Sequence, residues 1–163
     1  MPVVYTPHRF HEEELTVELH KVFSPQRTLS CYIVLDTEKF VDYQKDLLQD
    51  FLSVVVEVLE RPETTFDSFK HDFEQSLQDL NNKLGIFAEK IKDIPRFSLR
   101  GVVQVFFDSE YVASMVGPVG VMIIRDAKLN YMLSNHIEEN AKIDLFSEFV
   151  EGETKESDEI IVL

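Results

Sequence analysis

From Leu15 onward the apolar positions first alternate. Leu15, Val17 and Leu19 are separated by Thr16, Glu18 and His20, the period of two that sends successive side chains to opposite faces of a strand. After the Ser24-Pro25-Gln26 turn comes an apolar run over residues 29–36, so the two segments predict a hairpin. The period then lengthens. Phe40, Tyr43, Leu47, Leu48, Phe51, Val54, Val55, Val58 and Leu59 recur at steps of three and four and predict one amphipathic helix. Pro62 breaks it, and Thr64 with Asp67 three residues on supplies a capping box for a second helix. Phe66, Phe69, Phe73, Leu77, Leu80, Leu84, Phe87 and Ile91 form its apolar stripe, expected to pack on the domain's own sheet or on the first helix. Pro95 lies just beyond its end.

The rest of the chain returns to period two. Residues 97–107, 111–116, 119–125 and 128–133 are short β-rich runs separated by Asp108-Ser109, Gly117-Pro118 and Asp126-Ala127, each read as a tight turn, which predicts an antiparallel meander. A polar stretch over 134–142 leads to a run at 145–150, a turn at Gly152 and a last apolar run, Ile160-Ile161-Val162-Leu163. A hairpin, two helices and then many strands spell an α+β layered domain rather than a parallel βαβ fold. A chain ending on four apolar residues suggests that the native protein continues past Leu163 and that this last run lies inside a sheet, as a central strand if paired on both sides or, if paired on one, as an edge open to self-association.

Composition narrows the partners. The 163 residues are 44% apolar, with 13 Phe, enough for the core of a single domain over residues 1–163. The 30 acidic against 16 basic residues give a net charge of −14, which works against binding a phosphate backbone or an anionic membrane surface. The charge is read as solubility first and as a surface for a basic partner second. One cysteine, Cys31, forbids an intramolecular disulfide and sits in an apolar run, which fits reducing cytoplasm. No basic and apolar leader opens the chain, and no run approaches the ~18 apolar residues of a bilayer span. His8, His11, His20, His71 and His136 are scattered, and the close pair His8 and His11 is read as a loop rather than a metal site. The sequence holds no GxxxxGK[ST], GxSxG, HExxH or CxxC, so nucleotide, serine-hydrolase and zinc chemistry have no starting point.

Residues 100–129 read RGVVQVFFDSEYVASMVGPVGVMIIRDAKL. This segment resembles the stretch GTTxVxxxxxxxxLxVAxVGDSRxYLxRDGKL of the PP2C-type (PPM) metal-dependent protein phosphatases. Gly101-Val102-Val103 stands where that family has GTT, and Gly117-Pro118-Val119-Gly120 where it has GDSR. Downstream, residues 149–153 and then 158–163 are similar to xSGEL followed by GDxxLL. Upstream, residues 31–36, CYIVLD, match the strand carrying VADGMGG. The resemblance spans most of the chain and rests on fold-determining positions. It implies an α-β-β-α sandwich, two facing antiparallel sheets with helices over their outer faces. It also implies hydrolysis of phosphoserine and phosphothreonine by a water held between two Mn²⁺ or Mg²⁺ ions, which need several carboxylates.

Carried over residue by residue, the resemblance leaves little of that site. Asp36 stands at the metal Asp of VADGMGG, but Thr37-Glu38-Lys39 replaces the Gly-rich turn, and Asp36 reads more readily as a helix cap. Glu13 or Glu14 stands for the acidic residue of the N-terminal NEDR stretch, and Arg9 echoes the phosphate-contacting Arg, although a surface Arg is the plainer reading. Pro118 replaces the Asp of GDSR, and the chain stops before the family's TDG. The expectation is a pseudophosphatase: no catalytic residue, no metal or other cofactor, and a protein partner bound or a structure supported instead. The alternative is a remote metal-dependent Ser/Thr phosphatase whose remaining Mn or Mg ligands lie beyond Leu163.

Overall fold

The computed structural model describes residues 3–5, 14–24, 26–36, 41–90, 99–134, 145–147 and 149–162. Strand β1 (Val3–Tyr5) is followed by the hairpin of β2 (Glu14–Ser24) and β3 (Arg27–Asp36), then by helices α1 (Val41–Glu60) and α2 (Phe66–Lys90). Strands β4 (Leu99–Phe107), β5 (Glu110–Val116), β6 (Gly120–Arg125), β7 (Lys128–Ser134), β8 (Val150–Glu153) and β9 (Glu159–Val162) complete the chain. A five-stranded sheet runs β2-β3-β4-β5-β8 and a four-stranded sheet β1-β9-β6-β7. Every pairing between these strands is antiparallel except β1 with β9, which is parallel. The domain is therefore α+β, with nearly antiparallel sheets.

Alternation along β4 explains the layering. Leu99, Val103, Val105 and Phe107 join the helices in one buried cluster, whereas Val102 and Phe106 join Val121, Ile123, Leu133, Ile160 and Val162 of the other sheet in a second. The order of layers is helix pair, five-stranded sheet, four-stranded sheet. Both helices thus lie on one sheet, where the sequence reading put helices over both outer faces. The short connection between them keeps their stripes together: Phe51 of α1 meets Phe73 of α2 at 6.0 Å between ring centroids. Phe66, Phe69, Phe73, Leu77, Leu80 and Leu84 are buried as expected, Phe87 is partly buried and stacks on Tyr43 at 4.2 Å, and Ile91 lies outside the described residues.

Three turn assignments shift. The capping box of α2 is one residue later than predicted: Ser68 N–H donates to Thr65 Oγ1 at 3.3 Å while Thr65 N–H donates to Ser68 Oγ at 3.0 Å. Thr64 instead donates its hydroxyl to Val58 O at 2.7 Å, and Arg27 donates to Arg61 O at 2.8 Å and Thr64 O at 2.7 Å. Both satisfy carbonyls left over where α1 ends. Gly117-Pro118 is a crossover and not a hairpin, because β5 belongs to one sheet and β6 to the other, so the meander divides into two hairpins. Gly152 lies within β8, opposite Tyr111, and not in a turn. The other two tight turns hold: Asp108 has φ 57°, and Asp126 and Ala127 have φ 51° and 58°, the positive values that two-residue hairpins demand.

The final apolar run is β9, flanked by β1 on one side and β6 on the other. Paired on both sides, it is an interior strand of the described sheet, and its Ile160 and Val162 join the core between the sheets. No helix among the described residues is long and apolar enough to cross a membrane.

Candidate functional site

Strand register gathers the positions singled out in the sequence at one end of the five-stranded sheet. Glu14 and Asp36 are opposite one another where the β2-β3 hairpin opens. The next pairings, Leu35 with Leu99 and Gly101 with Val116, put the end of β5 on that same side. Gly117 and Pro118 therefore follow β5 at the end that carries Glu14 and Asp36. This register pairs the backbone positions of two acidic residues, Glu14 and Asp36. Glu13, Arg9 and Thr37-Glu38-Lys39 lie outside the described residues.

The crossover itself is tightly determined. Gly117 adopts φ 66°, and a Cβ there would overlap the Leu99 carbonyl oxygen, so only glycine suits both the backbone and the space. Val119 N–H closes the bend on Gly117 O at 2.9 Å. Pro118 is exposed and brings no side-chain oxygen. Divalent cations need several oxygen ligands in concert, and the Pro118 side chain offers none. Among the described residues no group of three or more His, Cys, Asp or Glu converges. His20 is exposed on β2 and His71 on α2, while His8, His11 and His136 lie outside the described residues. The described residues do not by themselves assemble a two-metal centre.

Asp158, in the GDxxLL-like segment, joins two parts of the chain. It is 1% exposed and receives Arg125 Nε and Nη2 at 2.7 Å each and the Lys155 N–H at 2.9 Å. Those bonds clip the turn after β8 to the end of β6. The Arg125 hydrogen bonds, opposed by burial and aided by the Lys155 amide, hold its carboxyl below the ordinary 3.8. Sequence reasoning missed this pair because Arg125 and Asp158 are far apart in the chain, and only the β6-β9 pairing brings their segments together.

Two cavities lie away from that sheet end. One of about 740 Å³ lies beside the β2-β3 turn, lined by Lys21, Arg27, Leu59, Glu60 and Phe107 among others. Its Arg27 is occupied by the carbonyls after α1 and stacks its guanidinium 4.6 Å from the Phe107 ring centroid. The other, about 520 Å³, is an open groove between β2 and α1. Neither is lined by Asp36 or Pro118.

Cys31, on β3, is buried to 3% exposure, and burial pushes its thiol up to about 12. It is a core residue and not a nucleophile, since thiolate reactivity needs a low pKa and access. No protein-family model matches this chain, and no curated protein matches it at a significant level.

Proposed function

We propose that this chain is a catalytically silent domain of the PP2C type that works as a binding or structural module. The observation that carries the reading is the sheet end described above: Pro118 stands where the resemblance has a metal Asp, beside a strand end that retains Glu14 and Asp36. The order of elements and the two facing sheets support the same resemblance. The helix pair, five-stranded sheet and four-stranded sheet would be the α-β-β layers of an α-β-β-α sandwich, whose second helical layer has no counterpart among the described residues. A phosphate dianion and a hydroxide come together only where cations neutralise them, and the chain's charge of −14 repels the dianion. A protein partner is the occupant proposed for such a module, in a cytoplasmic setting. Nucleic acid and membrane are disfavoured by charge.

A second reading has one observation in its favour. The register pairs the backbone positions of Glu14 and Asp36, two acidic positions that a remote Mn- or Mg-dependent Ser/Thr phosphatase with further ligands beyond Leu163 would use. One experiment separates the two. The protein is incubated with millimolar Mn²⁺ or Mg²⁺ and a phosphothreonine peptide or an aryl phosphate, and titrated with the same ions in a calorimeter. The expected result is no phosphate above buffer and no tight divalent site, with Pro118→Asp restoring little. Turnover abolished by Asp36→Ala would overturn the proposal and establish the second reading.

A further inference from the structure

Strand β2 is the terminal strand of its sheet, eleven residues long, and no strand pairs with its outer side among the described residues. Such an edge presents a row of main-chain N–H and C=O groups, and proteins usually blunt it with proline, a bulge or charge. Here the register irregularity is confined to the Val22/Ser24 end. Along residues 17–21 the strand keeps regular pairing to β3. An available main-chain edge selects an extended chain as its complement, since only a strand satisfies those groups in series.

The groove beside that edge adds side-chain selection. Val17 and Leu19 of β2 and Val56 of α1 are only partly buried, although each packs against the main core. With Leu52 they form the apolar lining of the groove of about 520 Å³, enough to take a few side chains. An added strand would turn alternate residues toward this lining. The Lys21 to Glu60 ion pair, 2.6 Å, stands at the turn end.

Charge fixes the remaining chemistry. Helix α1 carries Asp42, Asp46, Asp50, Glu57 and Glu60 against Lys45, and all five carboxylates are exposed. Glu18, Glu57 and Glu60 line the groove itself; Glu57 is paired with Arg61 at 2.7 Å and Glu60 with Lys21, so the surplus negative charge comes from Glu18 and from Asp42, Asp46 and Asp50 against Lys45. An acidic wall beside an apolar slot disfavours acidic segments and draws basic ones.

We propose that the β2 edge and the β2-α1 groove bind an extended peptide segment of a partner in which apolar residues alternate with lysine or arginine. The apolar residues enter the slot, the main chain pairs with β2, and the basic residues face the α1 carboxylates. This surface is separate from the Asp36 and Pro118 end, so the assignment stands or falls independently of phosphatase chemistry.

The test uses the whole chain and three short synthetic peptides: one alternating Val and Lys, one alternating Val and Glu, and the Val-Lys peptide interrupted by proline. Amide NMR shifts report the location and fluorescence anisotropy the affinity. The Val-Lys peptide is expected to bind in a salt-sensitive way, with shifts confined to β2 and the groove side of α1, and the other two to bind at least about tenfold more weakly. Gln49 and Ser53 are exposed in the groove, so a Gln49→Lys, Ser53→Lys double variant should fold normally and lose the Val-Lys peptide by a similar factor. Equal binding of the proline-interrupted or Val-Glu peptide, indifference to the double variant, or no binding at all would overturn the assignment. Concentration-dependent dimerisation abolished by the same variant would give the edge to a second copy of the chain, and would equally overturn it.

Discussion

Arg125 and Asp158 form a two-point ion pair, with Nε and Nη2 of the arginine each 2.7 Å from a carboxylate oxygen. The Asp158 side chain is wholly buried and that of Arg125 is 20% exposed, so the pair sits at the boundary between core and solvent. Asp158→Asn leaves a guanidinium facing a neutral amide and is expected to cost about 2–3 kcal/mol, less than a wholly buried pair because Arg125 keeps contact with water. Urea unfolding of the two proteins at neutral pH measures it.

The same residue predicts a pH dependence. Its folded pKa lies below the unfolded value, 3.8, first because of Arg125. The stability it contributes is therefore fully present above the unfolded pKa and is lost as pH falls through 3.8 and on through the folded value. Wild-type stability should fall steeply below about pH 4, and Asp158→Asn should remove part of that slope. An unchanged acid limb would show that other carboxylates carry it.

Phe73 is 1% exposed and meets the rings of both Phe51, at 6.0 Å, and Phe69, at 5.5 Å. Phe73→Ala should destabilise by about 3–5 kcal/mol. Ile86, on the same helix but 54% exposed, should tolerate alanine within about 0.5 kcal/mol. The contrast, read by thermal or denaturant unfolding, tests which stripe of α2 faces the sheet.

Gly101 and Gly117 should resist alanine for separate reasons. A Cβ on Gly101 would overlap the Tyr32 carbonyl oxygen and stand 2.6 Å from Ile33 Cα, backbone that cannot step aside cheaply. At Gly117 the positive φ adds strain to an overlap with Leu99. Each substitution should cost at least about 1–3 kcal/mol, whereas Gly85→Ala, with nothing within 4 Å of the new methyl, should stabilise α2 by up to about 1 kcal/mol.

Cys31 should be silent to thiol reagents in the native protein. With its thiol pushed to about 12 and its side chain buried, labelling at mildly alkaline pH should be absent until denaturant is added, and then account for one thiol per chain. Rapid native labelling would show that β3 is accessible.

These elements differ in how far the sequence exposes them. The α2 stripe is legible because eight apolar residues at steps of three and four admit one helical face, and the Asp126-Ala127 hairpin because turn-forming residues separate two alternating runs. Thr64 and Thr65 are not told apart by pattern, since either can open a capping box and only the end of α1 decides which is used. The Gly117-Pro118 crossover was unreadable for a deeper reason: a turn between adjacent strands and a step between two sheets place the same residue types in the same order. The candidate site was legible as a set of positions and not as an arrangement. Without the irregularity at Val22/Ser24, the register set by Ser24 with Arg27 would put Leu15 opposite Asp36. The irregularity moves the ladder by one residue and brings Glu14 there.

The two buried clusters are unequal, and that inequality divides the molecule in time. The five-stranded sheet is held by the helix pair, with Phe51, Phe69 and Phe73 among its covering rings, while among the described residues the four-stranded sheet joins the smaller cluster around Val121, Ile123 and Ile160. Opening the interface between the sheets exposes less apolar surface than unfolding the whole domain, so it requires less free energy. Amide hydrogens of β6 and β9 should therefore exchange through a partial opening in which β3 and β4 stay closed, and those of β3 and β4 only when the entire chain unfolds. The β2-β3-β4 ladder with its helices is then the slow-exchanging body of the domain, and the second sheet a layer that detaches and returns many times within its lifetime.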